Sequence, residues 1–354
     1  MRLPAVLAAG VMIVGATAPA FAQRASAGNP PASTQTSTKT PSPSSASSAS
    51  SSKKYVPPRT PWGDPDLQGT FTNKDENGIP LERPSQFDGR QIEDVKSGEL
   101  EQLVKQRSQA GVERAAGIGG AETGAGPVHW YEYYGAQNSR PWLIVDPADG
   151  RIPPTTSGAQ ARAAALALAL RARGEADSAE GRSLYDRCIT RGVPGSMMPA
   201  IYGNSYQIVQ APGSVAIRYE MIHETRIIPL DSRPHVGQGI RTYMGDARGH
   251  FDGSTLVVET TNFNGKNAAD LAGYGSPDRG ADQTLRIVER FKPVAPGTIE
   301  WSVTLDDTPT WARPWTFAMN LTKDESQPVF EYACHEGNYG LSGILSAARA
   351  SEKR

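Results

Sequence analysis

YQIVQAPGSVAIRYEMIHETRIIPLDSRPH, residues 206–235, sets two alternating segments on either side of Pro212-Gly213-Ser214. Turn residues between alternating runs predict a β-hairpin. Strand side chains point to opposite faces in turn. A single regular second arm therefore puts Val215, Ile217, Tyr219, Met221, His223, Thr225 and Ile227 on one face. Arg218, Glu220, Glu224 and Arg226 then occupy the other. The first face is apolar and carries a histidine, which is either a hydrogen-bonded core residue or a working group inside a cavity.

Downstream of the hairpin the pattern is nearly all strand. Phe251 to Thr255 reads as a tight turn into a strand from Leu256 to Phe263, and Leu285 to Phe291 alternates. After a turn at Pro293 to Gly297, Ile299, Trp301, Val303 and Leu305 share one face, and Trp315 to Leu321 and Val329 to Cys334 continue the series. From Tyr206 onward that makes about seven or eight strands joined by hairpin-like turns. No sustained strand–helix alternation is present, which disfavours a doubly wound parallel sheet. The expected fold is mainly β with N-terminal helices, an antiparallel meander or lipocalin-like barrel with the helices packed outside.

Upstream, Leu67 to Thr72 and Pro141 to Val145 read as short strands around a helical insertion near residues 92–191. Its helical segments are Ile92 to Ala116, with apolar residues at spacings of three and four, the alanine- and leucine-rich Ser157 to Arg173, and Ala179 to Ile189. The last two are expected to pack against the sheet. Gly117 to Gly126 is read as a flexible loop, because no Lys-Ser/Thr follows to make a phosphate cradle. His129 to Tyr134 is a dense aromatic cluster, open to core packing or to ligand stacking. Ser342 to Ala350 reads as a closing helix.

The 354 residues are 38% hydrophobic, enough for a substantial core, and carry 36 basic against 37 acidic residues. That balance leaves no electrostatic footprint for nucleic acid. The 36 glycines and 28 prolines exceed ordinary usage of about 12% for the two together, as a turn-rich β protein does. At the N-terminus, Met1-Arg2, an apolar run from Leu3 to Ala18 and Ala20-Phe21-Ala22 form an export signal over residues 1–22, with no transmembrane segment expected in the mature chain. Residues 23–54 read as a disordered Ser/Thr/Pro-rich linker, with one β-rich domain over 55–354. The expected location is periplasmic or secreted.

Five segments carry a family resemblance: PRTPWGDPDLQGTF (58–71), LIVDPADGRIPP (143–154), EMIHETRIIPLDSRPH (220–235), FDGSTLVVETTNF (251–263) and YACHEGNYGL (332–341). Together they resemble a large family of exported bacterial proteins of unknown function, over roughly residues 59–349. The resemblance assigns no catalytic residue. The meander is also similar to lipocalin-like barrels at the level of fold, although the Gly-x-Trp signature of that group is absent, since Gly69 is followed by Thr70-Phe71.

The chain has two cysteines, Cys188 and Cys334. An exported protein with an even count usually pairs them. A bridge between them would bring Arg187 and Arg191 near His335-Glu336. The chemistry-bearing residues are the five histidines, several beside carboxylates, which is the composition of an acid–base pair or of a divalent-metal site. The sequence requires no particular cofactor, and neither an H-E-x-x-H helix nor a G-x-S-x-G elbow is present. Two classes of function fit. One is an enzyme acting on a small organic molecule as lyase, isomerase or hydrolase, with His223 as general acid or base and Arg226, His335 and Glu336 in support. The other is a non-catalytic carrier of an apolar or aromatic ligand in the barrel. Tyr219, Met221, His235, Trp315 and Asn338 are the candidate ligand contacts.

Overall fold

The computed structural model describes residues 55–96, 98–103, 105–106, 140–173, 176–200, 202–266 and 283–353. The expected export signal and linker, the Gly117–Gly126 loop, the His129–Tyr134 cluster and the side chain of His223 lie outside the described residues. The strands are β1 (Gly69–Thr72), β2 (Ile144–Asp146), β3 (Ser205–Ala211), β4 (Ser214–Tyr219), β5 (Thr225–Pro229), β6 (Asp246–Asp252), β7 (Thr255–Thr261), β8 (Arg286–Ala295), β9 (Thr298–Asp306) and β10 (Trp315–Lys323). They form one sheet in the order β5-β4-β3-β1-β10-β9-β8-β7-β6, with β2 also pairing with β10, and every pairing is antiparallel. This is the expected lipocalin-like barrel, nearly closed. β3–β5 and β6–β10 are two meanders in chain order, and β1 joins them by pairing with both β3 and β10.

The predicted hairpin forms between β3 and β4, with Ala211 opposite Ser214 and Gly213 at φ 76° in the corner that only glycine takes without strain. Its second arm is not one strand. β4 stops at Tyr219, a 3-10 turn covers Met221–His223 with Ile222 at φ 61°, and Tyr219 N–H donates to the Glu224 carbonyl to close the bend. The chain returns as β5 with Ile217 opposite Arg226. The bend inverts the expected alternation: Arg226 and Ile228 are buried inside, while Ile227 is 58% exposed. Arg226 therefore faces inward, and the backbone of His223 belongs to the turn rather than to an inner strand face.

Inside the barrel the alternating residues of β9 and β10 make the centre of the core. Ile299, Trp301, Val303 and Leu305 face Leu321, Met319, Phe317 and Trp315 across the ladder, all buried. Trp301 meets Phe317 edge-on at 5.7 Å, and Trp311 meets Trp315 in the same manner at 5.7 Å. A barrel of this strand number is just wide enough for side chains to fill, and here large aromatic rings fill it.

β5 and β6 are the two free edges, and no backbone ladder joins them. They meet through side chains instead. A Cβ on Gly249 of β6 would come within 2.8 Å of both Ile228 and Leu230, so glycine is what lets the two edges approach.

Outside the barrel, residues 98–103 and 105–106 are helical, as expected, and Leu103 joins Phe87 and Trp142 in a small satellite core. The helix Ser157–Arg173 has the expected bounds but does not pack along the sheet. Alanine and leucine occur on all its faces, leaving no single apolar stripe to bury. Among the described residues its N-terminal end is tied down, by Ala159 and by Arg162, which donates to Thr310 Oγ1 at 3.1 Å. The segment 179–189 contains one 3-10 turn, Ala179–Gly181, in place of the expected helix. The expected strand at 329–334 joins no ladder among the described residues and leads through a turn at 334–337 into the helix Tyr339–Ser351. No helix among the described residues is long and apolar enough to cross a membrane.

Candidate functional site

Cys188 and Cys334 form a disulfide, with Cα atoms 5.6 Å apart. It anchors the segment 324–334, which follows β10, to the segment that precedes β3. A cleft of about 520 Å³ opens beside that segment, lined by Thr72, Lys74, Asp75, Ser205, Glu220, Asp324, Ser326, Gln327, Pro328 and Phe330. Its floor is well ordered by hydrogen bonds. Lys74 Nζ pairs with Asp324 Oδ2 at 3.0 Å, Ser326 N–H donates to Asp324 Oδ1 at 3.1 Å, and Ser205 N–H donates to Glu220 Oε2 at 3.1 Å. The Ser326 donors and then Lys74 pull the Asp324 carboxyl down to about 2, so it is a carboxylate at any ordinary pH. One lysine stands against three acidic residues, and the ring of Phe330 is 58% exposed at the rim.

The expected site residues do not converge on one place. Tyr219 and Arg226 belong to a buried quartet with Glu289 and Trp301. Arg226 makes an ion pair with Glu289, and Trp301 Nε1 donates to Glu289 Oε1 at 3.2 Å. Burial works against the Arg226 charge, but Glu289 and then Tyr219 outweigh it and raise the guanidinium further; burial also pushes the Tyr219 phenol up. Trp315 is wholly enclosed in the core. Met221 is buried, its Sδ packed against the backbone of Gly203.

His335 and Glu336 are exposed in the turn that follows the disulfide, far in burial from the enclosed Arg226. Asn338 caps the last helix by accepting from Leu341 N–H, and its amide donates to the Asp186 carbonyl at 2.9 Å. Its role visible in the structure is to dock that helix.

His235 is the histidine with the fullest set of contacts among the described residues. Nδ1 lies 2.9 Å from Asp246 Oδ2, and Nε2 lies 3.2 Å from Glu259 Oε1. Two guanidiniums stand behind the carboxylates: Arg248 donates to Asp246 Oδ1 at 2.7 Å, and Arg286 pairs with Glu259. Burial favours a neutral Glu259, but Arg286 and then His235 outweigh it and hold the carboxyl below its ordinary range. Each ring nitrogen thus faces one carboxylate, and each carboxylate also accepts from a guanidinium. Since His235 follows β5 while Asp246 and Glu259 lie on β6 and β7, this cluster latches the unladdered seam.

Sequence reasoning did not find the rim cleft, because its walls come from β1 and the turn after it, the start of β3, the bend after β4 and the segment after β10, with no local spacing to connect them. Among the described residues no group of three or more His, Cys, Asp and Glu is placed to hold a metal ion. No protein-family model matches the chain, and no curated protein sequence matches it. Among solved structures, the crystal structure of a secretary abundant heat soluble (SAHS) protein from Ramazzottius varieornatus is similar over 34% of this chain and 74% of that one, at 13% identity and a TM-score of 0.21.

Proposed function

We propose that this chain is an exported, non-catalytic binding protein for a small organic molecule, taken up at the end of the barrel rather than in its centre. The observation that carries this reading is the cleft beside Phe330, whose volume of about 520 Å³ lies in the range of small-ligand sites. The filled interior favours it over a carrier with a central apolar cavity. The dispersal of Arg226, His335 and Glu336 favours it over acid–base catalysis on an inner face.

The cleft suits a ligand with a cationic nitrogen. Asp75, Glu220 and Asp324 outnumber Lys74, and Phe330 offers a ring face at the rim. Isothermal titration of the folded protein with benzylammonium, tetramethylammonium and the matched neutral benzyl alcohol tests this. Saturable binding of the cations, weakened by F330A and by D324N, is the expected result. Cation binding that neither variant alters, or none at millimolar concentration, would remove the cleft as the site.

A further inference from the structure

The rim cleft holds neutral hydrogen-bonding groups as well as carboxylates. Thr72 of β1 stands directly opposite Ser205 of β3. Ser205 N–H donates to Glu220 Oε2 at 3.1 Å, and Glu220 N–H donates to the Ser205 carbonyl at 3.1 Å. Glu220, Ser205 and Thr72 therefore make one row across the end of β4, β3 and β1, stepped by the spacing of paired strands, about 4.8 Å. Gln327 lines the same cleft from the segment after β10. Among the described residues the Ser205 hydroxyl and the Gln327 amide have no hydrogen-bond partner. The Thr72 hydroxyl accepts from Lys74 N–H at 3.1 Å and donates to no group among those residues. Asp324 differs, since Ser326 and Lys74 already hold it.

A simple amine would use the carboxylates of this cleft and leave its hydroxyls and amide unused. We propose that the ligand is an amino sugar, with its ammonium among the carboxylates, its ring hydroxyls on Thr72, Ser205 and Gln327, and one face of the pyranose against Phe330. This rests on the reading of the cleft as a cation site and adds the kind of molecule that carries the charge.

The donor and acceptor types fit such a ligand. Carboxylates only accept, which suits an ammonium, whereas a serine or threonine hydroxyl and a glutamine amide both donate and accept, as sugar hydroxyls do. A ligand without hydroxyls would cover Ser205 and Thr72 with apolar surface and leave them unpaired, which lowers its affinity. The ring of Phe330, 58% exposed at the rim, presents a negative face to the polarised C–H groups of a pyranose. The row from Glu220 to Thr72 sets a charged contact beside neutral ones, so an ammonium bound at one end leaves neighbouring hydroxyls over Ser205 and Thr72.

Titration calorimetry of the full chain with glucosamine, glucose and cyclohexylammonium, at about pH 6 where the sugar amine is protonated, tests the assignment. Glucose lacks the charge, and cyclohexylammonium keeps a charged six-membered ring without hydroxyls. Glucosamine should bind saturably and about tenfold or more tighter than either. S205A and Q327A each remove one neutral partner, and each should cut the preference for glucosamine over cyclohexylammonium several-fold. Gln327 is exposed and outside every ladder, so Q327A keeps the test available if S205A disturbs the pairing of β1 with β3. Cyclohexylammonium binding as tightly as glucosamine, or a preference that neither variant reduces, would overturn the amino sugar and leave the cleft a site for simple cations. Glucose binding as tightly as glucosamine would overturn the role of the ammonium, and with it the amino sugar. Absence of binding by both cations at millimolar concentration would remove the cleft itself, and the sugar with it.

Discussion

Arg226 and Glu289 meet inside the barrel, one from the edge strand β5 and the other from β8, and each is buried. Their pairing crosses the region where β5 and β6 share no ladder. Trp301 Nε1 and the Tyr219 phenol complete the polar set on an otherwise apolar wall, although the Nε of Arg226 finds no partner among the described residues.

Removing one member of such a pair leaves a buried charge without compensation. E289Q or R226M alone should therefore cost about 3–5 kcal/mol, whereas replacing both with apolar residues of similar volume should recover most of that loss. Urea unfolding of the two single variants and the R226M/E289L double variant checks it. A cost below about 1 kcal/mol for E289Q would mean that the barrel relaxes to admit water there.

Asp324 gives the clearest pH dependence. Its carboxyl is held at about 2 by Ser326 and Lys74, below the unfolded value of about 3.9. A depressed carboxyl contributes stability that is fully present above the unfolded value and is lost as pH falls through the folded one. The stability difference between wild type and D324N should thus be constant above about pH 5 and shrink between about pH 4 and pH 2. Thermal melts across that range measure it, and a difference that does not change down to pH 2 contradicts it.

His235 should act locally, on the seam. In H235A, Asp246 and Glu259 lose the imidazole between them, and the chain after β5 loses its attachment to β6 and β7. Hydrogen exchange should quicken over residues 246–261 while the β9–β10 ladder stays protected. Equal acceleration in both regions would show that His235 supports the whole barrel instead.

The Cys188–Cys334 bridge spans 146 residues of sequence, and cross-links that close long loops stabilise chiefly by restricting the unfolded chain. The C188A/C334A variant should lose about 2–5 kcal/mol. Its barrel strands should keep their circular dichroism, because the bridge lies outside the ladders. Collapse of the strand signal in that variant would place the bridge among the requirements for folding rather than among the additions to stability.

The sequence by itself determined the central strands β7 to β10 and the inner faces that depend only on neighbouring residues. Ile299, Trp301, Val303 and Leu305 were legible as one buried row because a strand repeats every two residues, and the β3–β4 turn was legible because Pro212-Gly213 fits one corner geometry. The cysteine pair was legible from an even count in a chain that opens like an exported protein. Tertiary structure decided everything that needs two distant segments at once. Arg226 faces inward because the bend at Ile222 reverses the alternation and Glu289 waits on β8. β1 lies between β3 and β10 although more than a hundred residues separate it from either partner. The rim cleft likewise takes its walls from four separate segments. Periodicity reports which side of its own strand a residue takes; it holds no information about which strand, turn or charge will stand opposite.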